Sequence, residues 1–127
     1  MKDVSLLAGR ILLALIFIIS GWGKIGGYAG SQQYMESMGV SGALLPLVIF
    51  AELGGGLAVA FGLLTRIAAV GLAVFSLLAA AFFHTDFANQ MQFISFMKNL
   101  AIAGGFLVLA AHGPGALSID AWRGRHR

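Results

Sequence analysis

Cysteine is absent from this chain, and that one absence removes several chemistries at once. No disulfide framework can staple the fold. The chain's own residues cannot exchange thiols, ligate an iron–sulfur cluster, attach a c-type haem or build a thiolate zinc site. Charge is nearly as scarce. Of 127 residues 10% are charged and 59% hydrophobic, with a mean hydropathy of +0.91. Soluble domains carry roughly a quarter charged residues, so a water-soluble reading fails. A chain of this size forms one domain, here residues 1–127 as a small helical membrane unit.

What is present is long apolar runs. Crossing the hydrocarbon takes about 20 mostly apolar residues, and four segments meet that need: 4–23, 43–64, 67–83 and 93–111. Barrel strands would be shorter and would alternate apolar with polar side chains, which these runs do not. The expectation is an all-α integral membrane protein, a four-transmembrane-helix bundle. No A-x-A-like cleavage site follows the first run, only Gly21-Trp22-Gly23-Lys24, so it reads as a retained helix. Lysine and arginine set the orientation. With four spans, Lys2, Arg66, Arg123, Arg125 and Arg127 share one side, against Lys24 and Lys98 on the other. Both termini are therefore expected in the cytoplasm, with 112–127 as a basic tail. No aromatic residue interleaves the last three arginines to stack on bases, so the tail reads as an anchor at anionic lipid and not as a nucleic-acid site. Between the first two spans, Ile25–Gly42 predicts a short external interfacial helix from Ser31 to Met38, stopped by Gly39. Ser41 is placed to cap the second span, with Pro46 tolerated in its opening turn.

Few polar groups interrupt the spans. Glu52 lies inside the second, roughly 12 Å down at 1.5 Å per residue. A carboxylate there costs a few kcal/mol unless it is protonated, paired or facing water. Lys98 in the fourth span and Arg10 in the first, about 9 Å from the opposite face, are the expected partners, with Lys98 the better placed. Lys24 either anchors at the headgroups beside Trp22 or bends over the mouth of the Glu52 site. His84 closes the third span, followed by Asp86; His112 ends the fourth on the other side, which rules out the two as joint ligands of one haem. His84 and Asp86 alone are too few for a metal site, and none is expected. The triplet Gly54-Gly55-Gly56 points to close helix packing rather than a ligand slot. Glu52-Leu53-Gly54-Gly55-Gly56 also echoes Asn99-Leu100 followed by Gly104-Gly105, and Gly9-Arg10-Ile11 echoes Thr65-Arg66-Ile67, a pattern that two related hairpins would produce.

Arg10, Gly21-Trp22-Gly23-Lys24, Glu52 with Gly55-Gly56, Gly62-Leu63-Leu64-Thr65-Arg66 and His84 together resemble the DoxX family of small bacterial membrane proteins. The loop Gly27-Tyr28-Ala29-Gly30-Ser31-Gln32-Gln33-Tyr34-Met35-Glu36 and the segment Met97-Lys98-Asn99 look like one branch of it, found in the inner membrane of enteric bacteria. The resemblance spans essentially the whole chain. It implies a four-helix protein of the bacterial inner membrane. The family name derives from a quinone-linked sulfur oxidoreductase subunit, which implies a redox setting; family membership says less about chemistry than about fold.

The leading expectation is an intramembrane polar cavity that binds a quinone or a similar small apolar molecule with a polar head, with no intrinsic cofactor. Glu52 would exchange a proton, Lys98 and Arg10 would hold its charge, Asn99 would donate a hydrogen bond, and Lys24 and His84 would guard the entrance. Electrons would come from a redox partner protein. Two rivals stand beside it: a non-enzymatic subunit that docks partners through small-residue helix faces, and a proton-coupled transporter, which four helices would build only as a homo-oligomer.

Overall fold

The computed structural model describes residues 2–125. Helix α1 runs Lys2–Gly26 and α2 Tyr28–Ser37. The second span, Gly42–Phe61, opens on one tight turn and continues as α3, Leu45–Ile49. A π-helical turn over Phe50–Gly54 follows, and then α4, Gly55–Phe61. Helices α5, Thr65–Phe83, and α6, Gln90–His112, complete the four spans, and α7 covers Ile119–Arg125. All four spans are long and apolar enough to cross a membrane. Four spans are present; α1 and α6 carry polar turns past the expected apolar runs, whereas the second span ends at Phe61, short of the expected Leu64, because Gly62 turns the chain. Short connections make successive spans antiparallel. Both ends of the described chain therefore lie at one end of the bundle, and α2 lies at the other.

The turn between the second span and α5 depends on glycine. Gly62 has φ +71°, and Leu64 follows at φ +49°. A Cβ on Gly62 would run into the Arg10 guanidinium and Ser118, so this position needs both the left-handed backbone and the missing side chain. The α1–α4 contact is equally close. A Cβ on Gly56 would lie 2.9 Å from Ile18, and one on Gly21 would lie 2.9 Å from the Leu53 nitrogen. Small residues here bring two backbones together, as expected of membrane helices. The core is thin: Ala14, Phe17, Val59, Leu72, Ala73 and Phe106 fill it, with Phe17 set edge-on to Phe106 at 5.5 Å and to Phe75 at 6.2 Å. Large apolar side chains such as Leu12, Phe50, Ile67 and Val108 face outward, the arrangement a lipid solvent calls for.

Two local expectations change. The helix in the external connection begins at Tyr28, straight after Gly27, so Ser31 lies inside it and its amide bonds back to the Gly27 carbonyl. Gly39 ends it at φ +81°, and Ser41 caps the second span by accepting from the Ala43 amide, with Pro46 in the first turn. The presumed tail also differs. Gly113 and Gly115, both at positive φ, reverse the chain after α6, and residues 114–125 fold back across the bundle end. The Asp120 amide donates to the Gly62 carbonyl at 2.8 Å, and the Asp120 carboxylate accepts from Leu64 N, Thr65 N and Thr65 Oγ1, each at 2.8 Å. The tail is thus a lid on one end of the bundle. His126 and Arg127, part of the expected anchor, lie outside the described residues.

Candidate functional site

Between the four spans, on the α2 side, lies a cavity of about 690 Å³. Its walls are mostly apolar: Ile16 and Phe17 from α1, Leu44 and Val48 from the second span, Phe75, Leu78 and Phe82 from α5, Ile102 from α6. Each span also contributes polar side chains. These are Ser20 and Lys24 from α1, Glu52 from the second span, Ser76 from α5 with His84 just beyond it, and Asn99 from α6. Helix α2 covers the end of the cavity. Met35 is buried and Tyr34 stacks on Phe83 with centroids 5.5 Å apart. Gln32 Nε2 donates to the Gly42 carbonyl, which ties α2 to the start of the second span.

Glu52 is 4% exposed and pairs with Lys24, whose Nζ lies 2.6 Å from Oε1. The same Nζ donates to Ser20 Oγ at 2.6 Å. That triad corrects the expected pairing. Helix α1 continues to Gly26, so Lys24 stands one turn above Ser20 on the cavity face (i, i+4) instead of leaving the bundle with Trp22. Lys98 is exposed and does not line the cavity; its neighbour Asn99, turned about 100° around α6, does. Arg10 is also separate from Glu52. It sits at the opposite end of the bundle, 1% exposed, with Nη2 donating to the Leu117 carbonyl at 2.5 Å. Of the six residues singled out, the structure brings Glu52, Lys24, Asn99 and His84 to one cavity and leaves Lys98 and Arg10 elsewhere.

The π turn positions Glu52. One extra residue per turn shifts the helix phase, and such turns concentrate where a side chain must be re-aimed. Nothing in the sequence announces it beyond the glycines that follow. Those glycines pack: Gly55 faces Leu72 and Gly56 faces α1, and neither lines the cavity.

Sequence reasoning missed three contributors. Ser20 Oγ accepts a hydrogen bond from Lys24 Nζ, and its signal was the i, i+4 spacing. Ser76 is the only polar residue of 67–83, and that isolation was the clue. It is 1% exposed, lines the cavity, and its hydroxyl has no hydrogen-bond partner among the described residues. A buried unsatisfied hydroxyl costs about 1–3 kcal/mol, so it calls for a partner inside the cavity. Gln92 is the third: its Oε1 lies 3.0 Å from His84 Nδ1. With that nitrogen donating, His84 Nε2 is left as the acceptor.

Chemically, the cavity offers an apolar volume, an ion pair, an unpaired Ser76 hydroxyl and the Asn99 amide. The comparisons fit this architecture. A family model described as DoxX matches residues 5–85. The chain is 59% identical over 120 residues to "Inner membrane protein YqjF" of Escherichia coli (strain K12), covering 94% of this chain and 92% of that one. It is 39% identical over 126 residues to "Inner membrane protein YphA" of the same organism, covering 94% and 90%. A shorter match, 34% identical over 68 residues and about half of each chain, is to "Putative oxidoreductase CatD" of Bacillus subtilis (strain 168). No solved structure matches. This chain belongs to the DoxX family, and it is a multi-pass membrane protein.

Proposed function

We propose that this protein resides in the bacterial inner membrane and binds a quinone, or a small apolar molecule of the same build, in the Glu52 cavity as part of a membrane redox system. The observation that carries the reading is the cavity's make-up. About 690 Å³ of mostly apolar space lies within a ligand-site range of roughly 300–1,000 Å³, and its few polar groups come from all four spans. A flat ring fits among Phe17, Phe75 and Phe82, and its oxygens meet Ser76, Asn99 and the Lys24–Glu52 pair. Reducing a quinone takes two electrons and two protons. The electrons come from a partner redox protein, and each of the two ring oxygens takes one proton. Glu52, once released from Lys24, takes a proton up from water and passes it to one oxygen, then reloads and serves the other. His84, held by Gln92 on the α2 side, passes protons in from water. The inner-membrane location is supported by the names of the two full-length relatives, and the redox setting by the oxidoreductase name of the third.

Quinone titration of the purified protein in nanodiscs tests this. Wild type saturates with one quinone per cavity. Glu52→Gln weakens binding about tenfold, and Ser76→Ala weakens it by the equivalent of a hydrogen bond, about 1 kcal/mol. Equal affinity of wild type and both variants for every quinone tested overturns the reading.

A further inference from the structure

The Glu52 cavity is larger than one ring requires. An apolar cavity of about 150 Å³ already holds benzene, and this one has about 690 Å³. The surplus leads sideways. On the side of the π turn away from α2, α5 packs against α4, with Leu72 facing Gly55. On the side towards α2 it hardly touches α3. Leu44, Val48 and Glu52 recur every four residues along the second span and all line the cavity, as do Leu78 and Phe82 from α5. Leu44, Leu78 and Phe82 are nonetheless 45%, 50% and 55% exposed. A side chain that lines a cavity and stays half exposed stands at its mouth, so the cavity opens between α3 and α5. Val48 and Leu78 lie roughly 8 Å inside the α2-side ends of their spans at 1.5 Å per residue. That depth puts the mouth in hydrocarbon.

The other flanks are closed or polar. Towards water, buried Met35 and the stack of Tyr34 on Phe83 roof the cavity. Between α1 and α6, Ile16 is also half exposed, but Ser20 and Asn99 share that flank. Beneath it Leu13 packs on Gly105 and closes the seam.

We propose that the occupant is a quinone with a long hydrocarbon tail, which loads sideways from the bilayer and leaves its tail in the seam between α3 and α5. This deepens the quinone reading above and rests on it. Leu44, Val48, Leu78 and Phe82 give the mouth an apolar rim, while the groups that meet the ring oxygens, Glu52 and Ser76, are buried deeper in. A polar ligand would have to shed its water to reach a mouth in hydrocarbon; a tailed quinone is already dissolved there. The seam thus selects for the tail and the interior for the head.

A quinone with a diazirine midway along a decyl tail tests this on the full chain in nanodiscs. Photolysis is expected to label stretches 44–48 and 78–82 about tenfold above α2 and above the α1–α6 flank, and excess tail-less quinone is expected to remove the label. Leu78→Trp, which narrows the mouth at a half-exposed position, should slow capture of the tailed quinone about tenfold. Displaceable label concentrated on residues 28–37, or on Ile16 and Asn99, overturns the proposed route and leaves the quinone reading standing. A capture rate unchanged by Leu78→Trp does the same. Label that neither excess tail-less quinone nor Glu52→Gln diminishes overturns the quinone reading, and this proposal with it.

Discussion

A carboxylate held in hydrocarbon needs a cation close by, and Lys24 meets that need at 2.6 Å. Removing one member of a buried pair is worse than removing both, because the survivor is left charged and unpaired. Lys24→Met should therefore destabilise the protein by about 3 kcal/mol, while the double variant Lys24→Met/Glu52→Gln recovers most of that loss. Thermal unfolding in detergent checks the order, and a double variant as weak as the single one would show that the pair does not act as a unit. The sequence made Glu52 conspicuous but not its partner. Counting depth along a helix ranks Lys98 well, yet partner choice depends on azimuth, and one residue of rotation puts Asn99 inside and Lys98 outside. Asp120 carries a second residue-scale prediction. Burial pushes its carboxyl up, but hydrogen bonds from Thr65 N–H, Thr65 Oγ1 and Leu64 N–H, with Arg123 nearby, outweigh that and hold it below the ordinary carboxylate range. A group whose folded pKa is depressed stabilises above its unfolded value, about 4, and loses that contribution as pH falls through the folded value. Docking of residues 114–125 should thus be complete at neutral pH and loosen in acid below about pH 4. Hydrogen exchange at the Leu64 and Thr65 amides should report it, and Asp120→Asn should be looser at neutral pH by roughly a lost cap, about 1 kcal/mol, with the acid step gone.

Among elements, the second span differs most from an ideal helix, and it carries Glu52. The π turn over Phe50–Gly54 places Glu52 towards Lys24 while Gly55 and Gly56 keep their seats against Leu72 and α1. Deleting Ala51 would remove the extra residue and make the turn α-helical, so that Glu52 is re-aimed while the flanking halves of the span keep their faces. The expected outcome is loss of quinone binding with helix content retained. Binding at wild-type strength would show that the π turn is incidental. Gly21→Val forces a branched side chain against the Leu53 backbone and should cost about 1–3 kcal/mol. The existence of the four spans was legible because membrane solvation imposes long apolar runs. The π turn was not, since its phase shift is settled by contacts with α1 and α5. Helix α7 was hidden for a similar reason: the segment reads as a basic tail, and only the distant pairing of Asp120 with the start of α5 tells it where to go.

At the scale of the whole molecule, charge is unevenly divided between the two ends of the bundle. Among the described residues, Lys2, Arg66 and Arg123 belong to the end with the termini, and Lys24 and Lys98 to the half that holds α2. Lysine and arginine are retained on the cytoplasmic side of short connections. Lys24 is further discounted because it is spent on Glu52 inside the protein. The termini should therefore be cytoplasmic, with α2 and the cavity end facing the periplasm. A chain with no cysteine makes this directly measurable. Single cysteines at Ser37, next to the α2 stop, and at Gly124, in α7, give one reporter at each end. In intact cells a membrane-impermeant maleimide should label the cysteine at 37 and leave the one at 124 unlabelled until the membrane is broken. The reverse pattern would turn the bundle over. The Glu52 cavity would then draw its protons from the cytoplasm, so the direction of any proton movement coupled to the proposed quinone rests on which cysteine reacts first.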